Sequence, residues 1–238
     1  MFGSIHSGPQ TNIRDGPLQR AQTIVSRMQS PWTFEALEEF GRTRLSTSFY
    51  MRDFLHSEIA AQYGLPNVPD DPDLALAVGR RLCAEVLEPL QARFGRLHVR
   101  SGFRSQLLNA FGHANDLDCG SNEDAAGAHI WDLPDRRGAH GAMACVVCPW
   151  LVDQCAQGLD WREFAWWIHD YLPYSTMVFY ARNLAVNISW NERPKRLIYS
   201  RVNPDEGYVT TKADAQSLER CPQRYADLET RRQAQPPW

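Results

Sequence analysis

LHVRSGFRSQLLN (97–109) and SNEDAAGAHIWD (121–132) bracket the stretch on which the reading of this chain turns. In the first segment Leu97, Val99 and Ser101 alternate with His98 and Arg100, the period-two pattern of a strand with unlike faces. Gly102 breaks the strand and Arg104 follows it. A guanidinium held at a strand end offers a fixed fork of donors that a carboxylate can take bidentately. By spacing alone the same residue also reads as a surface arginine on a turn. The second segment gathers Glu123, His129 and Asp132. Between the two lies GHANDLDCG (112–120), a loop rich in Gly, Asn and Asp. His113, Asp116 and Asp118 in it read as a solvated loop, with metal chelation as the rarer use of such residues.

Upstream, Asp73 is expected to cap a helix over 74–93, with Ala77, Val78, Leu82, Val86 and Leu90 as its buried stripe and Pro89 kinking its last turn. GLPNVPDDP (64–72) is a loop, because its prolines forbid regular structure. Pro31–Arg44 has helical spacing, with Thr33 as N-cap. Residues 1–30 read as a partly disordered tail, with a short helix beginning at Ile24–Met28. Downstream, Ala128–Leu133 and Ala142–Val147 are strand candidates, and Pro149–Leu172 reads as one Trp-rich helix. Met177–Tyr180, Ala185–Trp190 and Leu197–Ser200 read as further strands. Residues 206–238 read as a polar C-terminal tail. Helices first and strands afterwards make an α+β domain over 31–205, with a mostly antiparallel sheet packed on helices.

Composition narrows the function classes. The 238 residues carry a net charge of −3, which gives no reason to expect nucleic acid as partner. No run approaches the ~18–20 apolar residues of a membrane span. MFGSIHSGPQTNIRDG has no basic region followed by an apolar core, so a cytoplasmic setting is expected. Six cysteines are present, and Cys145-Val-Val-Cys148 forms a CxxC without a second pair at zinc-finger spacing. It lies in the apolar run MACVVCPWLV, where free thiols pack as small hydrophobes. Cys119 or Cys145 with His129 or His140 would make a nucleophilic Cys–His pair, but no spacing demonstrates contact.

LSTSFYMRDFLHSEIA (45–60), GLPNVP (64–69), RLCAEVLEPLQARFG (81–95) and VRSGFRSQLLN (99–109) together resemble the M15 family of D-Ala-D-Ala carboxypeptidases and phage endolysins. The resemblance spans roughly Leu45–Ser200, with SGFRS as its most specific part. It implies a zinc-peptidase fold in which Arg104 holds the carboxylate of a small peptide or amino-acid-like substrate.

The family's metal site uses S-x-H-x-x-G-x-A-x-D, a later W-x-H-I-S strand and a catalytic Glu. This chain departs from all three. Anchored on Ser121, the pattern puts Glu123 at the first His; anchored on Asp132, it puts Ala125 there. AVNISW (185–190) puts Asn187 at the second His, and STMVFY (175–180) has no carboxylate. The resemblance leaves Arg104, Ser121 and Asn187 as substrate-binding candidates, Asp132 and Glu123 as metal candidates, and Glu123 and His129 as catalytic candidates. Glu123, Asp132 and Asn187 are oxygen donors, suited to a cation such as Mg, Mn or Fe(II) more than to a closed Zn site. The expectation is a divergent member, a metal-dependent hydrolase or a repurposed enzyme acting on a small peptide or amino-acid-like substrate with a free carboxylate. The alternative is a metal-free pseudopeptidase that binds peptide or carboxylate. With period-two alternation over 128–133, His129 would point away from the site.

Overall fold

The protein is a single α+β domain built on a six-stranded sheet in the order β1-β2-β4-β3-β5-β6. The computed structural model describes residues 16–27 and 32–234. The expectations for residues 1–15, Met28 and Pro31 lie outside them. The N-terminal helices are α1 (Pro17–Arg27), α2 (Phe34–Arg42) and α3 (Glu58–Tyr63). Thr33 caps α2 as expected, its hydroxyl accepting from Ala36 N–H at 3.1 Å.

The long helix begins earlier than the sequence predicts. Asp71, not Asp73, is the N-cap, and Pro72 takes the first turn of α4 (Pro72–Leu82), where its missing N–H costs nothing. The helix continues through a π-helical stretch, Cys83–Leu87, into α5 (Glu88–Phe94). Pro89 sits just past that stretch. It cannot donate to Glu85, and the widened turn accommodates the lost bond and the ring. Val78, Leu82, Val86 and Leu90 form the buried stripe, but Ala77 is exposed and Ala75 takes the core place.

After β1 (His98–Ser101) come α6 (Gln106–Ala114) and the single turn α7 (Asn122–Ala125). The expected strand over 128–133 does not form. Its residues make turns, with one isolated bridge from Ala126 to Ile130. Gly141 starts β2 (Gly141–Val147), and a Cβ there would stand 2.4 Å from the carbonyl oxygen of Gly127. Only glycine lets that turn lie against the strand.

The expected 149–172 helix is two helices, α8 (Pro149–Ala156) and α9 (Trp161–Tyr171). Gly158 at φ +95° breaks the chain, and Asp160 re-caps it. The remaining strands are β3 (Thr176–Tyr180), β4 (Val186–Asn191), β5 (Leu197–Arg201) and β6 (Gly207–Tyr208). The sheet is mixed, for β3 and β5 run parallel while the other pairs are antiparallel.

The sheet's two faces differ sharply. Ala142, Ala144, Val146, Met177, Phe179, Ile188 and Ile198 are buried in one core cluster with residues of α4, α8 and α9. The residues between them in sequence line a cavity on the other face. The Trp-rich helices are mostly core: Phe94 meets the rings of Trp150, Phe164 and Trp167 at 5.1, 4.9 and 4.8 Å. Among the described residues no helix is long and apolar enough to cross a membrane.

The segment read as a polar tail is folded as well. It forms α10 (Lys212–Gln216) and α11 (Ala226–Gln233), and it buries Tyr225 and Leu228 in the main core. Arg224 lies over the Trp166 ring at 4.0 Å, and the N–H of Leu228 donates to Glu163 at 2.9 Å. The polar composition hid this because two buried side chains suffice to anchor a helix whose other faces are solvated. Leu228→Ala should therefore destabilise the protein by about 2–5 kcal/mol in urea unfolding. Leu218→Ala, at a position 85% exposed, should stay within about 0.5 kcal/mol. Equal effects would mean that this helix does not belong to the core.

Candidate functional site

A cavity of about 840 Å³ opens on the non-core face of the sheet. Its wall is built by strand alternation: Met143 and Cys145 from β2, Asn187 from β4, Val178 and Tyr180 from β3, and Arg201 from β5. Cys145 and Asn187 are direct partners across β2 and β4. Arg100 and Ser101, consecutive in β1, both line the cavity. The ladder slips between Val99 and Ser101, and such an irregularity re-aims one residue.

Arg104 reaches the cavity from the turn after β1, as its place at a strand end suggested. Its Nη1 donates to Asn109 Oδ1 at 3.2 Å and lies 3.1 Å from the Cys119 sulfur. Asn109 is fully buried on α6, and its Nδ2 donates to the Gly120 carbonyl and to Asn122 Oδ1. The turn itself is clamped from outside. Asn67 donates to the carbonyls of Leu55 and Phe103 and accepts from Ser105 N–H at 2.8 Å. Asn67 and Asn109 carry no motif that singles them out; a buried amide becomes visible only once its partners are in space.

His129 lines the cavity, contrary to the expectation that strand alternation would turn it away. Because 128–133 is a turn, successive side chains take unrelated directions. His129 faces the cavity, Ile130 and Trp131 are wholly buried, and Asp132 points to the start of α4. Two hydrogen bonds at 2.8 Å lock His129 to the Arg104 turn: Arg104 N–H donates to its carbonyl, and its Nδ1 meets the Gly102 carbonyl. A carbonyl only accepts, so Nδ1 carries the proton and Nε2 is the bare nitrogen. Burial, with the Arg104 guanidinium adding to it, lowers the imidazole pKa from 6.5 to about 4, against the opposing pull of the Gly102 bond. His129 is therefore neutral at pH 7.

The other candidates fall outside the cavity. The Asp132 carboxylate accepts from the N–H groups of Asp70 and Asp71 at 2.7 and 3.1 Å, shaping the entry to α4. Glu123 is exposed and pairs with Arg136 at 3.1 Å. Ser121 caps α7, its hydroxyl donating to Asp124 at 2.8 Å. His140 is tied to Glu192 through its backbone and does not close over the cavity. Of the six candidates, Arg104, His129 and Asn187 share the cavity, while Ser121, Glu123 and Asp132 do not.

A metal held by Asp132 and Glu123 does not fit this arrangement. Glu123 pairs with Arg136, Asp132 spends one oxygen on the α4 entry and lies off the cavity, and among the described residues no three His, Cys, Asp or Glu side chains converge as a metal site. Nor does a Cys–His pair gain support. Cys119 and Cys145 both line the cavity, but burial raises both thiols above their usual pKa, and the attacking species would be the thiolate.

Charge of both signs lines the cavity, on different elements. Arg100, Arg104, Arg182 and Arg201 all line it. Among the described residues, no ion pair involves any of the four. The carboxylates on the lining, Glu58, Asp116, Asp118 and Asp124, come from α3, the α6–α7 loop and α7, not from the sheet. Comparisons with protein-family models, with curated proteins and with solved structures returned no match. The likeness to M15 peptidases rests on the quoted motifs.

Two measurements follow from these placements. Below pH 6.5 the unfolded chain protonates His129, while the folded chain does so only near pH 4. Stability should fall as pH drops from 6.5 to 4. His129→Gln should remove on the order of 1–3 kcal/mol of that loss in urea titrations at pH 7 and 4.5. Parallel pH profiles in the two proteins would show that the imidazole is not held neutral. Asp132→Ala should cost about 1–3 kcal/mol of stability, by leaving two backbone donors of the α4 entry without their acceptor. Wild-type stability in that variant would refute its placement.

Proposed function

We propose that this chain is a divergent, M15-like protein whose cavity binds a small peptide or amino-acid-like ligand by its free carboxylate. The supporting observation is Arg104: a cavity-lining guanidinium with no carboxylate partner among the described residues, oriented by the buried amide of Asn109. A buried or half-buried arginine left without a counter-ion favours an anion from outside. Tyr180 and Asn187 on the sheet wall supply neutral donors and acceptors for the rest of the ligand. With Asp132 and Glu123 committed elsewhere, the binding-module reading is favoured over the metal-dependent hydrolase.

One observation keeps an enzymatic reading in play. His129 is a neutral imidazole on the cavity lining with Nε2 unprotonated, the form in which it can accept a proton from water. Hydrolysis of N-acetyl-D-Ala-D-Ala that is lost in His129→Ala would establish it, and no turnover with or without added Zn or Mn would leave the binding module.

Calorimetric titration with N-acetyl-D-Ala-D-Ala and with its C-terminal amide tests the carboxylate reading. The acid should bind and the amide should be weaker by about 10–100-fold, the worth of one charged hydrogen-bonded pair. Arg104→Ala should erase the difference. Equal affinity of acid and amide in the wild type would rule the reading out.

A further inference from the structure

We propose that the cavity holds a second oxyanion subsite, built by Tyr180, Arg182 and Arg201, so that its ligand carries two anionic groups. One is the carboxylate at Arg104; the other is a further carboxylate or a phosphate at the β3–β5 end of the wall. The inference rests on the carboxylate reading above and specifies the ligand class.

The geometry has three parts. Tyr180 and Arg201 end adjacent parallel strands and are direct register partners, with the Arg201 guanidinium 5.9 Å from the Tyr180 ring centroid. Arg182 follows two residues after Tyr180, at the start of the 3-10 turn Arg182–Leu184, and reaches the same lining. The Tyr180 hydroxyl accepts from Asn187 Nδ2 at 3.2 Å, so its own hydrogen is directed elsewhere. Burial raises the Tyr180 pKa above 10, which keeps that hydrogen in place as a donor at neutral pH.

Charge placement points the same way. The sheet wall contributes arginines and neutral groups to the cavity and no carboxylate. The acidic residues of the lining belong to other elements; Asp118 is near enough to act on Tyr180, but none pairs with Arg182 or Arg201. Arg182 and Arg201 are exposed on the lining and make no ion pair among the described residues, so their guanidinium donors stay open to an oxyanion. A single carboxylate engages one guanidinium fork well, which leaves the β3–β5 end unused. A ligand with a second anion would use both.

Three peptides separate the possibilities: N-acetyl-D-Ala-D-Ala with one carboxylate, N-acetyl-D-Ala-D-Glu with two, and N-acetyl-D-Ala-D-phosphoserine with a carboxylate and a phosphate. Titration at pH 7.5 should show at least one two-anion peptide binding about tenfold or more tightly than the first. Which of the two gains identifies the oxyanion. Arg201→Gln and Arg182→Gln should bring that peptide down to the affinity of N-acetyl-D-Ala-D-Ala and leave the latter unchanged. Tyr180→Phe, which keeps the ring, should produce part of the same loss. Equal affinity of all three peptides in the wild type would overturn the second subsite while sparing the Arg104 reading. An Arg201→Gln variant that weakens all three alike would overturn it too, by making Arg201 part of the first subsite. If no peptide binds, both readings fall.

Discussion

The Trp131 side chain holds the site together from behind. It is wholly buried, packs on the rings of Phe54 and Phe103, and donates from its indole nitrogen to the Met143 carbonyl of β2 at 3.2 Å. A Cβ on Gly79 of α4 would stand 2.7 Å from the ring, so the helix fits only because that position is bare. Pinning one residue of an irregular turn fixes its neighbours. On one side of Trp131, His129 meets the Gly102–Arg104 turn; on the other, Asp132 accepts the first N–H groups before α4. A residue at the junction of the sheet, a helix and the Arg104 turn thus transmits the rigidity of the core to a cavity it does not line.

The same sheet serves core and site through nothing more than alternation. On β2, Ala142, Ala144 and Val146 face the helices while Met143 and Cys145 face the cavity. Small side chains on the core face let α4 pack closely. The opposite face, freed from that packing, carries groups that a core would not tolerate. Arginines from several strands and turns converge there, opposite carboxylates from α3, α7 and the loop before it, with solvent or a bound anion hydrating or pairing them.

Much of the framework was legible from residue order. The strand near 98–101, the strands at 141–147, 176–180, 186–191 and 197–201, and the Thr33 cap of α2 follow from local spacing and side-chain chemistry. Local rules failed where contacts distant in sequence decide. The 128–133 segment has the composition of a strand but forms turns, with Trp131 packed on Gly79, which reversed the expected direction of His129. The apolar anchors of the segment after 205 are Tyr225 and Leu228, helped by polar ties such as Leu228 N–H to Glu163, a signal too sparse to stand out in composition. Arg100 entered the cavity through a ladder irregularity that no periodicity announces.

By itself, then, the sequence determined the class of fold and the presentation of Arg104, because alternation, glycine breaks and caps act within a few residues. Only the tertiary structure decided the company Arg104 keeps. It brought His129, Asn187, Tyr180, Arg182 and Arg201 onto one cavity and sent Glu123, Asp132 and Ser121 away from it. The reason is physical: which side chains share a pocket depends on strand register and on where a turn packs. Those are fixed by close contacts, such as Trp131 on Gly79, between residues far apart in the chain.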